Sequence, residues 1–98
     1  MYYVKKTLEV SAAHRLILDY ESKYTNLHGH NWAIPVYRND FTHIKDLIMG
    51  TLDHKVINDV LPFNPTAENI AKWVVDSIPE CYRADVQESE NNIASYED

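Results

Sequence analysis

The stretch Leu27-His28-Gly29-His30-Asn31-Trp32 carries two imidazoles two residues apart. On an extended strand that spacing sends both side chains from one face. Ile34 and Val36 continue the phase of His28, His30 and Trp32, so this reads as a half-buried strand. Pro35 has no N–H for a ladder, which predicts an edge position or a bulge there. Upstream, Tyr2, Val4, Lys6, Leu8, Val10 and Ala12 alternate with Lys5, Thr7, Glu9 and Ser11, the pattern of another strand. His14 ends it in phase with the apolar set. Antiparallel pairing across the loop of residues 15–27 brings His14 to His28 and His30. Three neutral imidazoles on one cation, with a fourth position open, describe a catalytic zinc site. By spacing alone, a surface strand with a histidine at its turn fits equally well.

The chain has 98 residues, enough for one domain over 1–98. A domain of this size buries only about 60–65% of its unfolded surface, so self-association would help it. Hydrophobic residues are 45% of the total, a globular composition. The net charge is −6 with no Lys/Arg run, which argues against a nucleic-acid surface. Cys81 is the single cysteine, so no internal disulfide forms, and its surroundings read as structural rather than reactive. The N-terminal residues lack the apolar core of a signal peptide, and no stretch approaches a membrane span. The expectation is a cytoplasmic protein.

Past the second strand, Asp40 reads as the N-cap of a helix with Phe41, Ile44, Leu47 and Ile48 on its buried face, ending near Gly50. Residues 51–58 read as a connection or short helical turn. Pro62, Asn64 and Pro65 make a rigid loop, and Thr66 caps another helix with Ile70, Trp73, Val74 and Ile78 as its stripe. Pro79 stops that helix. Residues 84–89 and 93–96 read as a hairpin turning at Glu90-Asn91-Asn92. The order is β-β-α-α-β-β.

Two further groups carry chemistry. Asp53-His54 puts a carboxylate beside an imidazole, which suits proton transfer near neutral pH. The same pair is common at helix ends with no such role. Glu88 lies in phase with Ala84 and Val86, a costly place for a carboxylate unless a donor-rich ligand pairs with it. At a hairpin end it could equally reach solvent. His43, beside Lys45 and Asp46, reads as solvated.

Taken together, Ser11-Ala12-Ala13-His14-Arg15-Leu16, Leu27-His28-Gly29-His30-Asn31, Asp40-Phe41, Leu52-Asp53-His54, Asn64-Pro65-Thr66-Ala67-Glu68-Asn69 and Val86-Gln87-Glu88-Ser89 resemble, in order, the 6-pyruvoyl-tetrahydropterin and 6-carboxy-tetrahydropterin synthase family. The resemblance implies an α+β tunnelling fold (T-fold), a four-stranded antiparallel sheet with two helices on one face. It implies homo-oligomers, trimers paired into hexamers, with sites at subunit interfaces. It also implies Zn2+ held by His14, His28 and His30, with Glu88 anchoring the pterin ring and Thr66 beside it in the substrate-binding set. Asp53 and His54 match the proton-relay pair. The chain looks most like the bacterial carboxy branch, which converts 7,8-dihydroneopterin triphosphate with release of acetaldehyde and triphosphate on the route to queuosine-type deazapurines. Neither nucleic acid nor membrane is an implied partner.

Two places depart from the family pattern. Tyr24 stands where the carboxy branch has its catalytic thiol, four residues before His28, and Thr25 stands where a related branch has a glutamate. A phenol titrates near pH 10 against about 8.5 for a thiol. Either Tyr24 acts as a weaker base, or the protein is a catalytically inactive zinc- and pterin-binding module; a 6-pyruvoyl-type activity is the other alternative. Between Tyr37 and Asp40 only Arg38 and Asn39 intervene, where family members have a longer turn.

Overall fold

The computed structural model describes residues 4–17, 26–38, 44–89 and 92–98. Strand β1 (Val4–His14) pairs antiparallel with β2 (His28–Arg38), β2 with β3 (Arg83–Ser89), and β3 with β4 (Asn92–Glu97). The spatial order is therefore β1-β2-β3-β4. Between β2 and β3 the chain forms α1 (Ile44–Leu52), the single turn α2 (Ile57–Val60) and α3 (Ala67–Ser77).

The strand alternation decides which face is covered. Leu8, Val10, Ala12, Trp32, Ile34, Val36, Ala84 and Val86 are all buried, and the helices lie over them. Ile48 and Leu52 of α1 and Ile70, Ala71, Val74 and Val75 of α3 complete the core. The opposite face exposes Lys5, Thr7, Glu9 and Ser11. This is the expected β-β-α-α-β-β order with one additional helical turn.

Two expectations need correction. Gly50 does not end α1, which runs on to Leu52. Burial of Leu52 at 1% exposure rewards the extension past Gly50 and outweighs the roughly 1 kcal/mol glycine penalty. Pro35 sits in a central strand rather than at an edge. The β2–β3 ladder pairs Ala33 with Gln87 and Val36 with Ala84 and skips the positions between, while the register stays constant. The absent N–H is absorbed as a gap in the ladder, without a bulge. The Asp40 cap, His43 and the hairpin residues Glu90 and Asn91 lie outside the described residues.

Thr66 caps α3 as its sequence position implies, its Oγ1 accepting the Asn69 N–H at 3.2 Å. The helix closes at Ser77, two residues before Pro79. Because Ile48 is fully buried where α1 meets the sheet, Ile48→Val should lower the unfolding free energy by about 1 kcal/mol in urea, with an unchanged slope. Breaking the exposed Lys72–Asp76 pair of α3 with Lys72→Ala should leave the midpoint where it is. A larger loss at Lys72 than at Ile48 would contradict this picture of the core.

Candidate metal centre and ligand cavity

The register of β1 and β2 pairs His14 with His28 and Ala12 with His30. Since residues opposite each other share a face, the three imidazoles meet on the helix-covered side. Their ring centroids are 4.6–5.3 Å apart. Trp32 continues the row, edge-on to His14 at 4.8 Å and to His30 at 5.2 Å. Its indole N–H donates to the Ala12 carbonyl at 3.1 Å, so it cross-links the strands beneath the cluster.

Glu88 arrives from β3. The β3–β4 register shifts between Gln87 and Ser89, a bulge that leaves Glu88 unopposed and re-aims its side chain. Its Oε1 lies 3.0 Å from His30 Nε2 and 3.6 Å from His14 Nε2. One donor atom from each of His14, His28, His30 and Glu88 falls within 4.8 Å of the others.

The tautomers follow from what the other ring nitrogens touch. His14 Nδ1–H donates to the Pro65 carbonyl at 2.8 Å, and His28 Nδ1–H donates to the Asn26 carbonyl at 2.8 Å. A carbonyl only accepts, so the Nε2 of each ring carries a lone pair when neutral. The Nε2 atoms of His14 and His30 are sealed from solvent and make no hydrogen bond. An electron pair on His14 Nε2 facing a carboxylate oxygen is repulsive unless a cation lies between them. Three imidazole nitrogens and one carboxylate oxygen form a donor set that suits a divalent transition metal. The described residues thus fit a metal ion.

Burial pushes the His14 imidazole below its ordinary 6.5. The Pro65 carbonyl and the Glu88 carboxylate oppose that shift, while His28 and His30 reinforce it. The ring is kept neutral, the form a metal requires.

Beside the cluster lies a cavity of about 390 Å³ lined by Leu16, Thr66, Ala67, Glu68, Glu88 and the start of β4. Glu88 and Thr66, the two substrate-binding candidates, share this cavity. Glu88 therefore faces the cavity and the histidines at once.

Asp53 and His54 stand elsewhere. Asp53 Oδ1 accepts the Ser11 N–H at 3.0 Å, and the His54 N–H donates to the Ser11 carbonyl at 2.6 Å, so the pair is strapped to the outer edge of β1. His54 adopts φ 58°, a left-handed conformation that costs a non-glycine residue about 1 kcal/mol or more. Its ring is 81% exposed, with Nε2 3.5 Å from Asp53 Oδ2. It lines a second depression, of about 500 Å³, whose wall includes Ser11, Gly29, His30 and Asn31. Tyr24 lies outside the described residues.

Sequence reasoning passed over two contributors. Trp32 was legible, being in phase with both histidines. The Pro65 carbonyl was not, since a backbone group 51 residues from His14 leaves no mark in composition or spacing.

With the geometry in place, the chain can be set beside known proteins. The family model for 6-pyruvoyl tetrahydropterin synthase matches residues 3–98. The chain belongs to this family. A Pyrococcus abyssi protein provisionally named 6-carboxy-5,6,7,8-tetrahydropterin synthase is 33% identical over 121 aligned residues, covering 84% of this chain and 76% of that one. A dihydroneopterin monophosphate aldolase of Pyrococcus furiosus is 32% identical over 88 residues, 78% and 74% of the two chains. The solved structure of Caenorhabditis elegans 6-pyruvoyl tetrahydropterin synthase superposes with a TM-score of 0.82 at 24% identity, covering 99% and 95%. That similarity places the sheet and helices in the T-fold.

The His14 environment has a consequence for pH. Below about pH 6.5 the unfolded chain takes up a proton at His14 that the folded chain refuses, so folding stability falls as the pH drops. Urea midpoints of the metal-free protein should decline between about pH 7.5 and pH 5.5. His14→Gln should flatten that slope; a variant as pH-sensitive as the parent would show that another group is responsible.

Proposed function

We propose that this family member is a zinc-dependent lyase acting on 7,8-dihydroneopterin triphosphate, yielding 6-carboxy-tetrahydropterin, acetaldehyde and triphosphate. The observation that carries this reading is the convergence of His14, His28 and His30 on Glu88, which also lines the cavity. On this reading His14, His28 and His30 hold the metal, and Glu88 turns into the cavity, leaving the fourth position to substrate. Bound zinc would polarise side-chain oxygens of the substrate and acidify the neighbouring C–H and O–H groups as a Lewis acid.

The chain's own residues supply recognition and proton transfer. The Glu88 carboxylate accepts two N–H bonds from the amino-pyrimidine edge of the pterin, and that pairing offsets the cost of its half-buried site. Thr66 Oγ1 already accepts from Asn69, so its own O–H is left to donate into the cavity. Asp53, held by Ser11, orients His54 for moving protons. Because the His54 ring is so exposed, its place in catalysis fits a site completed by a second copy of the chain, in a trimer-based homo-oligomer. In the sequence, Tyr24 stands at the position of the proton-accepting thiol. No described helix is long and apolar enough to cross a membrane.

A second reading draws on the Pyrococcus furiosus relative. A retro-aldol cleavage of a dihydroneopterin phosphate side chain uses the same polarised oxygens and releases a two-carbon hydroxyaldehyde phosphate instead of acetaldehyde. It also asks less of a thiol, which suits a chain with Tyr24.

Zinc-loaded protein should be incubated with dihydroneopterin triphosphate and, separately, with the monophosphate. Acetaldehyde from the triphosphate supports the first reading; a two-carbon hydroxyaldehyde bearing the phosphate chain of its substrate, from either, supports the second. No product from the parent, together with activity in Tyr24→Cys, would leave the family site intact but remove the claim of native turnover. Silence in both would make the protein an inactive binding module. In whichever assay responds, Glu88→Gln should retain one zinc per chain while kcat/KM falls about 10- to 100-fold, the cost of a lost charged hydrogen bond. Loss of zinc in that variant would reassign Glu88 as a metal ligand.

A further inference from the structure

Among the described strands β1 has a neighbour on one side only, yet its outer edge is paired at alternate residues well past Ala12. Ser11 is bonded to Asp53 and His54, and the Ala13 N–H donates to the Lys55 carbonyl at 3.0 Å. Beyond that point two side chains take over. The Arg15 N–H donates to Asn58 Oδ1 at 2.8 Å, and Asn58 Nδ2–H donates back to the Arg15 carbonyl at 3.0 Å. Ile17 is held in the same way by Asn64, at 2.8 and 3.1 Å. A carboxamide presents an acceptor and a donor along one edge, as a peptide group does, so each asparagine stands in for a strand residue. Aspartate would lack the donor, and glutamine would be one methylene too long for the same register.

Burial holds only the middle of this segment, for Leu16 is half-buried while Arg15 is exposed and Ile17 is 67% exposed. The bonds to Asn58 and Asn64 are what order its ends. The Asn64 carbonyl in turn accepts the Thr66 N–H and an Asn69 Nδ2–H, each at 2.9 Å. The next carbonyl along, that of Pro65, receives His14 Nδ1–H. The short run 64–66 thus grips the chain twice, at the His14 ring and at the Ile17 backbone. Between those grips Leu16 lines the cavity with Glu88 and Thr66. The turn α2 places Asn58 opposite Arg15.

We propose that Asn58 and Asn64 are positioning residues: their carboxamides hold Arg15–Ile17 as a continuation of β1, so that Leu16 walls the ligand cavity and the Pro65 carbonyl stays on His14. The inference rests on the metal- and ligand-binding reading of that site. Neither asparagine belongs to the donor cluster or the cavity wall, and both act through the segment they hold.

The test compares Asn58→Leu, Asn64→Leu and the milder Asn64→Asp with Val75→Ala, a core truncation on α3 remote from the clamp. Zn2+ alone is the probe, titrated against a chromogenic chelator, and Co2+ absorption reports the ligand geometry. Asn64→Leu should weaken zinc binding about 10-fold, the low end of what loss of an outer-sphere partner costs, and should alter the Co2+ spectrum. Val75→Ala should lower Tm and leave both unchanged. Should Asn64→Leu fail to fold, Asn64→Asp should show the same shifts at smaller size. Zinc affinity and spectra identical to the parent in all the asparagine variants would overturn the proposal. If the parent itself takes up no zinc, the metal reading fails, and the clamp is judged by amide hydrogen exchange. Arg15 and Ile17 amides should then exchange at least about 10-fold faster in the leucine variants than in Val75→Ala, since their opening free energy is set by these bonds. Equal exchange would overturn it.

Discussion

The structure depends on the register between β1 and β2. Eleven residue pairs run without a slip from Val4 opposite Arg38 to His14 opposite His28. A shift of one residue would turn Trp32, Ile34 and Val36 to the exposed face and carry His28 and His30 with them. The register that buries the core is therefore the register that assembles the imidazoles. Trp32 fastens the two functions together, because its ring floors the histidines and its N–H donates to Ala12 on the partner strand. Burial of Leu8, Val10, Ile34 and Val36 supplies the free energy that keeps three imidazoles crowded at one end of the sheet.

Much of this was legible in sequence because it rests on period. Two-residue alternation put His14, His28 and His30 in phase with the apolar set and left solvent an equal reading for Glu88, while helical spacing placed Ile70 and Val74 on the buried stripe of α3. Where local and tertiary preferences compete, sequence reading slipped. Gly50 reads as a stop, but burial of Leu52 carries α1 past it. Pro35 reads as an edge residue, yet a central strand tolerates it by leaving a gap in one ladder. Backbone partners were invisible. Nothing in the letters joins the Pro65 carbonyl to His14, or the carboxamides of Asn58 and Asn64 to residues more than 40 positions away.

The sheet divides its chemistry by face. Covered by helices, one side carries the cluster able to hold a metal and a cavity reached by Glu88. Along the outer edge of β1, Asp53 and His54 are fixed by backbone bonds to Ser11, with the His54 ring in solvent. One strand thus sets both groups. Ser11 faces outward and holds the Asp53-His54 strap, while Ala12 and His14 face inward and hold the cluster. A strained φ at His54 is tolerated because two hydrogen bonds to a single residue over-determine it.

The cluster is also a liability to the fold that carries it. The Nε2 of His14 is shut away from water without a hydrogen bond, which costs about 1–3 kcal/mol in the metal-free chain. A chain of 98 residues has little stability to spare against that. Protonation does not relieve it at His14, since burial disfavours the charged ring. Replacing the ring with an apolar side chain would relieve it, at the loss of a donor. Retaining a buried, neutral and tautomerically fixed imidazole makes physical sense when a cation supplies the missing partner. The free energy withheld from folding then reappears as metal affinity, because the donors are already desolvated and aimed before the ion arrives.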